Sequence, residues 1–159
     1  TEQVSKTIFI ATTKRKQGVN IMGLTFKFIT LPKRKFFGFT AAHIHNHPIN
    51  LAEKEKVIVD CLDFPRNCGG ILEVIKAMEG AKGELNIRKM VAYAKKMPNA
   101  AIRNRLGFIL ELLGIKTTIR PSKHYVLLDP LSKNKGKYNQ TWKIRENIAR
   151  RELLAWREY

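Results

Sequence analysis

Carboxylates are scarce in this sequence. Only 13 Asp and Glu stand against 30 Lys and Arg, and after Glu2 none appears until Glu53. A formal charge of +17 on 159 residues is more self-repulsion than solvated domains usually carry without an anionic partner. The excess is uneven, +7 over residues 1–49, +3 over 50–114 and +7 over 115–159. A field that survives at the flanks and fades in the centre points to phosphate, the commonest multivalent anion in a cell.

Other absences narrow the reading. No apolar run approaches the roughly 20 residues that cross a bilayer, and the polar first residues do not begin a secretory signal. Cysteine is limited to Cys61 and Cys68, too few for a disulfide framework. They flank an expected helix end, where a bridge would gain little, so a reducing, cytoplasmic location is expected. No Asp-x-Lys or Glu-x-Lys tripeptide occurs, which removes the local signature of metal-dependent nucleases. Asp129, Glu73 and Glu111 are the acids left to converge. Cys61 falls on an apolar helix face, and Cys68, near a helix start, has no His partner for nucleophilic work. Glycine patterns for nucleotide phosphates are missing. His43, His45 and His47 alternate and in one strand would share a face, yet no Cys, Asp or Glu adjoins them to complete a metal shell. We therefore expect no catalytic residue, no metal and no cofactor.

What is present reads as one α+β domain over residues 1–159: strand-rich at the start, four helices in the middle, strand-rich again and closed by a short helix. Strand-like runs occupy residues 7–12, 19–30, 36–42 and 43–49, punctuated by Gly18, Pro32 and Pro48. Leu24, Phe26 and Phe28 alternate with Thr25 and Lys27, predicting one inward apolar face. Asn50 with Glu53 reads as a capping box for a first helix that stops before Pro65. Gly69-Gly70 opens a second helix, Asn86 caps a third, and Asn99 caps a fourth that ends at Gly114. Strands are expected at 117–119, 125–128 and 141–144, with a basic loop at 133–137 and a final helix over 147–156. No internal repeat is visible. Without an initiator Met, and starting at once in a strand-like run, the chain reads as part of a longer polypeptide.

Three cation clusters sit at expected turns between strands: Lys14, Arg15 and Lys16; Lys33, Arg34 and Lys35; Lys133, Lys135 and Lys137. Hairpin tips of this kind project cations toward a phosphate backbone, and Arg150 and Arg151 add a fourth group. Phe36, Phe37 and Phe39 beside the second cluster read as strand packing residues rather than base-stacking ones.

One set of residues is more distinctive than helix propensity requires. It comprises Glu53-Lys54-Glu55-Lys56-Val57-Ile58-Val59-Asp60-Cys61-Leu62-Asp63, Pro65, Cys68-Gly69-Gly70-Ile71, Tyr93-Ala94, Arg105-Leu106-Gly107-Phe108-Ile109-Leu110-Glu111-Leu112-Leu113-Gly114, Tyr125-Val126-Leu127-Leu128-Asp129-Pro130 and Trp142-Lys143-Ile144. In order and spacing, over most of residues 20–145, this set resembles the C-terminal region of AbiEi-type antitoxins, predicted transcriptional regulators of viral-defence systems. The resemblance implies a preceding winged helix-turn-helix, absent from this chain, with Thr1 to Ser5 following its linker. It further implies double-stranded operator DNA as a partner. A nucleotidyltransferase-like toxin would be countered without a required direct contact. A protein-interaction or dimerisation module for an acidic partner is the alternative expectation.

Overall fold

Pairing of distant strands, rather than of neighbours in sequence, organises both ends of this chain. The computed structural model describes residues 6–158, where strands at either end enclose a helical middle in an α+β arrangement. Thr1 to Ser5, expected to follow a linker, lie outside the described residues. Two compact units divide at Phe37 and Gly38.

In the first unit, β1 (Thr7–Thr12), β2 (Val19–Ile21) and β3 (Leu24–Thr30) form a sheet of order β1-β3-β2. The expected run at 19–30 is split by a turn at Met22 and Gly23, with φ of 51° and 80°. β3 pairs parallel with β1, from Thr7 opposite Thr25 to Thr12 opposite Thr30, and antiparallel with β2. This register gathers Ile8, Ile10, Val19, Ile21, Leu24, Phe26 and Phe28 on one face. The expected inward burial follows only in part: Phe26 and Phe28 are half-buried, whereas Leu24 and its neighbours Ile8, Val19 and Ile21 remain exposed. Among the described residues the unit has only a 3-10 turn, Lys33–Lys35, and so no helix of its own to cover the sheet.

The second unit opens with a hairpin of β4 (Phe39–Ile44) and β5 (His47–Ala52). His45 and Asn46, with φ of 45° and 64°, make the two-residue turn of left-handed backbone that such hairpins require. The three histidines therefore do not share a strand face. His43 opposes Pro48 and His47 opposes Ile44, which puts His43 and His47 on opposite faces, with His45 in the turn. Pro48 lies inside β5 rather than ending a strand. Its position follows the hydrogen-bonded pair that flanks a two-residue turn, where no N–H is needed. Asn50 is likewise a strand residue opposite Ala41, so it caps nothing. α1 (Lys54–Asp63) starts after Glu53 without a side-chain cap.

The other helices start closer to their expected signals. Gly69 and Gly70, both at positive φ, lead into α2 (Ile71–Gly80). Asn86 Oδ1 accepts from Lys89 N at 3.0 Å to cap α3 (Ile87–Lys96), and Asn99 Oδ1 accepts from Ala101 N at 3.1 Å as α4 (Ala101–Leu112) begins. Leu62, Ile75, Met78, Met90, Ile102, Leu106 and Ile109 form the buried interior, and α1 touches α2, α3 and α4. Contrary to the sequence reading, Cys61 and Cys68 are paired in a disulfide that ties the last turn of α1 to the 3-10 turn after it.

A second three-stranded sheet, of order β6-β8-β7, follows from β6 (Val126–Leu127), β7 (Lys137–Asn139) and β8 (Ile144–Glu146). Its connectivity repeats that of the first: first strand parallel to third, second antiparallel to third. The expected strand at 117–119 does not form, since Thr117 Oγ1 captures Ile119 N at 3.1 Å. β7 occupies the end of the expected loop, and the final helix shortens to α5 (Arg150–Leu154) with a 3-10 turn, Ala155–Glu158.

α4 joins helices to sheet through two buried polar residues. Asn104 Nδ2 donates to His124 O at 3.0 Å and Lys143 O at 3.1 Å, while its Oδ1 accepts from Ser122 N at 2.7 Å. Arg105 Nη1 donates to Leu62 O in the last turn of α1 at 2.8 Å, and its Nε to Leu127 O at 3.1 Å. Beside them Gly107 leaves room for the Trp142 ring, which a Cβ at that position would overlap. The ring cannot slide, because its Nε1 donates to Glu111 Oε2 at 2.7 Å.

Gly107→Ala should therefore destabilise the chain by about 2 kcal/mol, the overlap with the pinned ring outweighing a helix-propensity gain of about 1 kcal/mol. Urea unfolding will measure this, and an unchanged or raised midpoint would contradict the packing argument. Reducing the Cys61–Cys68 bridge, whose partners are 7 residues apart, should cost about 2.5 kcal/mol by loop closure, read as a lower urea midpoint with reductant.

Candidate nucleic-acid interface

None of the three cation clusters sits on a hairpin tip. Because β1 neighbours β3 and not β2, residues 13–18 cross over rather than turn back. Parallel neighbours cannot be joined by a tight turn. The same parallel pairing brings two clusters together. β1 and β3 end side by side, with Leu31 N donating to Thr12 O at 2.8 Å. The segments that carry Lys14, Arg15 and Lys16 and then Lys33, Arg34 and Lys35 thus leave from one end of the sheet. Thr12 Oγ1 accepts from Lys14 N at 3.1 Å and shapes the first exit. Lys16 Nζ lies 5.6 Å from the Phe28 ring centroid.

The second sheet does the same with the remaining cations. β6 and β8 run parallel, and Leu128 N donates to Arg145 O at 3.1 Å where they finish. From this end depart the segment with Lys133, Lys135 and Lys137 and the segment with Arg150 and Arg151. Asn147 holds the two exits together. Its Oδ1 accepts from Asp129 N at 3.0 Å, and its Nδ2 donates to Asp129 O at 2.7 Å and Lys133 O at 3.2 Å. Lys133, Lys135, Lys137 and Arg151 are exposed. Arg150 differs from them: its Nε and Nη2 donate to Glu146 at 3.0 and 3.2 Å, and its guanidinium lies 5.2 Å from the Phe108 ring centroid. It secures the end of the sheet rather than projecting from it. Burial pushes the Glu146 carboxyl up, but hydrogen bonds from Arg150 and Asn139 outweigh it and hold the group below the usual carboxylate value.

Four further residues belong to the same region and were not picked out by sequence reasoning: Tyr125, Tyr138, Lys143 and Arg145. Tyr138 opposes Arg145 across β7 and β8. The rings of Tyr125 and Tyr138 meet edge to face with centroids 5.0 Å apart. Lys143 Nζ stands 5.3 Å from the Tyr125 centroid, and the Arg145 guanidinium 5.1 Å from that of Tyr138. The available signal was the step from Ile144 to Arg145, which sends Arg145 to the face opposite buried Ile144, while Lys143 lies in the preceding turn with a φ of 52°.

Candidates for chemistry are not assembled. Glu73 pairs with Lys76 at 2.8 Å, Glu111 receives the Trp142 indole N–H, and Asp129 accepts from Leu131 N at 3.0 Å and Ser132 Oγ at 2.9 Å. Each acid is engaged separately. Among the described residues no group of three or more His, Cys, Asp or Glu could hold a metal ion, and no helix is long and apolar enough to cross a membrane. Glu53 is the most perturbed acid at the start of α1. Hydrogen bonds from Lys89, at 2.7 Å, and from Tyr93 hold its carboxyl low, and both partners are raised in return. These three groups satisfy one another. An open groove beside α3 is lined by Arg88, Lys95, Lys116 and Thr117 over Ile87 and Val91. Of the three phenylalanines expected to pack, Phe37 is half-buried and Phe36 and Phe39 are 36% and 43% exposed.

The chain matches no family model, no curated protein and no solved structure.

The Glu146 interactions carry a pH signature. A carboxyl whose folded value lies below its unfolded one contributes stability that is present above the unfolded value, about 4.3, and is lost as pH falls through the folded value. Glu146→Gln should thus be less stable than the parent at pH 7, with the gap closing below about pH 4. Urea midpoints at several pH values will test it; a gap independent of pH would remove the ionic contribution.

Proposed function

We propose that this chain is the C-terminal part of a transcriptional regulator of the AbiEi antitoxin type, a non-enzymatic domain that meets the phosphates of duplex operator DNA. The observation that carries the reading is the delivery of cation clusters in pairs to the ends of the two parallel strand pairs. Six cations leave one sheet end within two adjacent segments, and Lys133, Lys135, Lys137 and Arg151 leave the other. Adjacent strands lie about 4.8 Å apart, so cations fixed at one sheet end repel one another until a polyanion arrives. That repulsion is relieved by phosphate and by release of the DNA's counterions.

Following the resemblance, the regulator would repress its own operon and counter a nucleotidyltransferase-like toxin without a required contact with it. Its location would be the cytoplasm, a reducing compartment in which the Cys61–Cys68 bridge would be open to reduction. A second reading is favoured by a different observation. The exposed apolar face of the first sheet, with Ile8, Val19, Ile21 and Leu24, has the character of a protein-docking patch. On that reading the surrounding cations would complement an acidic partner or serve a dimer.

Salt dependence of duplex binding tests the first reading. Each phosphate met by a cation adds about −0.9 to the slope of log K against log salt. Replacing Lys133, Lys135 and Lys137 together with Gln should flatten the slope by up to about 2.7, whereas Arg150→Gln should leave it unchanged. Absent or salt-insensitive duplex binding would instead favour the docking reading, for which sedimentation should reveal a dimer or a stable acidic-protein complex.

A further inference from the structure

Phosphate contact leaves the outer face of the second sheet without a use. Tyr125 and Tyr138 stay 39% and 56% exposed there, while Ile144 on the opposite face is fully buried. On a solvated strand, Thr would serve the backbone as well as Tyr without presenting an apolar ring to water. The rings are also fixed in place. They meet edge to face at 81°, the Tyr125 hydroxyl bonds Gln140, and Val126 N donates to Lys143 O at 3.0 Å beside them. Arg145 is held as a plane over Tyr138: its Nη1 donates to Asn134 Oδ1 at 2.7 Å, and its Nε is buried without a hydrogen-bond partner.

The geometry points to a stacking platform for the unpaired bases of a single-stranded nucleic acid, built from Tyr125 and Tyr138 and flanked by Lys143 and Arg145. A nucleobase offers the flat π face that an exposed tyrosine ring or guanidinium plane receives, and such stacking tolerates any sequence. Lys143 and Arg145, within 5.3 and 5.1 Å of the ring centroids, supply cations for the strand's phosphates beside the rings, whereas Lys137, opposite Glu146, faces the other side of β7. Charge excludes a basic occupant. An acidic peptide would satisfy the cations but leave the rings without a stacking partner. Glu146, next to Arg145 in β8, lies on the other face of the strand, where Asn139 and Arg150 hold it. This platform does not depend on the duplex reading, because bases inside a duplex are not available to stack on it.

The test compares a labelled thymidine oligonucleotide, its uridine counterpart and a duplex by fluorescence anisotropy on the whole chain. Binding to either single strand is expected, and the tighter of the two identifies DNA or RNA as the source. Tyr125→Leu and Tyr138→Leu should each weaken single-strand binding roughly tenfold, leave duplex binding unaltered and leave the salt slope intact, while Tyr138→Phe should behave as the parent. Ring-proton shifts of the two tyrosines in the unmodified chain supply a readout that needs no variant. They should move with the oligonucleotide and not with inorganic pyrophosphate. The platform is overturned by absent single-strand binding at low salt, by equal losses on single strand and duplex, or by rings that do not move. Loss of duplex binding with single-strand binding retained would remove the regulator reading and leave the platform standing.

Discussion

The second unit depends on a pair of polar side chains placed where an apolar pair would be expected. Asn104 and Arg105 are buried in the middle of α4, and between them they satisfy backbone groups from α1, from the segment around Ser122 and His124, from strand β6 and from the turn before β8. Burial pushes the Arg105 guanidinium down, opposed by the nearby charges of Asp129 and Asp63. A guanidinium does not give up its proton in a protein, so the charge stays and must be held by carbonyls. One of these is Leu62 O, in a helix turn whose carbonyls have no partner within the helix and whose dipole end is negative. Removing either side chain would strand several buried backbone groups at once, at about 1 to 3 kcal/mol each.

This constraint reaches the surface because Asn104 binds Lys143 O and His124 O. The residues on either side of those carbonyls are the ones that present Tyr125, Lys143 and Arg145. A helix-borne side chain therefore fixes the height and register of an exposed sheet face, and Gly107 sets how closely the Trp142 turn may approach the same helix. Within the second unit, the helical middle, nearly neutral in charge, supports the sheet that carries the cations.

Local signals in the sequence were legible wherever the physics was local. β1 is found at its expected residues, Asn86 caps α3, Gly69 and Gly70 precede α2, and Gly114 takes the left-handed conformation after α4. What escaped was long-range. Apolar alternation marks a strand but says nothing of its neighbour, so β1 and β3 could not be seen to pair across residues 13–23. The cation clusters, legible as runs, could therefore not be seen to meet. The histidines misled for a related reason: a two-residue turn at His45 and Asn46 interrupts an alternation that continues unbroken in the sequence. Cys61 and Cys68 come within bonding distance because the 3-10 turn that opens at Pro65 folds the chain back after α1.

The repeated connectivity of the two sheets has a consequence for the order of assembly. In each, the central strand is the last of its three in sequence, β3 in one and β8 in the other. A chain emerging from its N-terminus can form neither sheet from the first two strands alone, since β1 and β2, like β6 and β7, do not touch. Each sheet must wait for its third strand, and the closure it then makes spans the whole intervening segment, a non-local step that sets a slow pace. Until that moment Lys14 to Lys16 and Lys133 to Lys137 sit on unpaired chain. The concentrated cationic ends thus come into being last, after the backbone that must bear their repulsion has been completed.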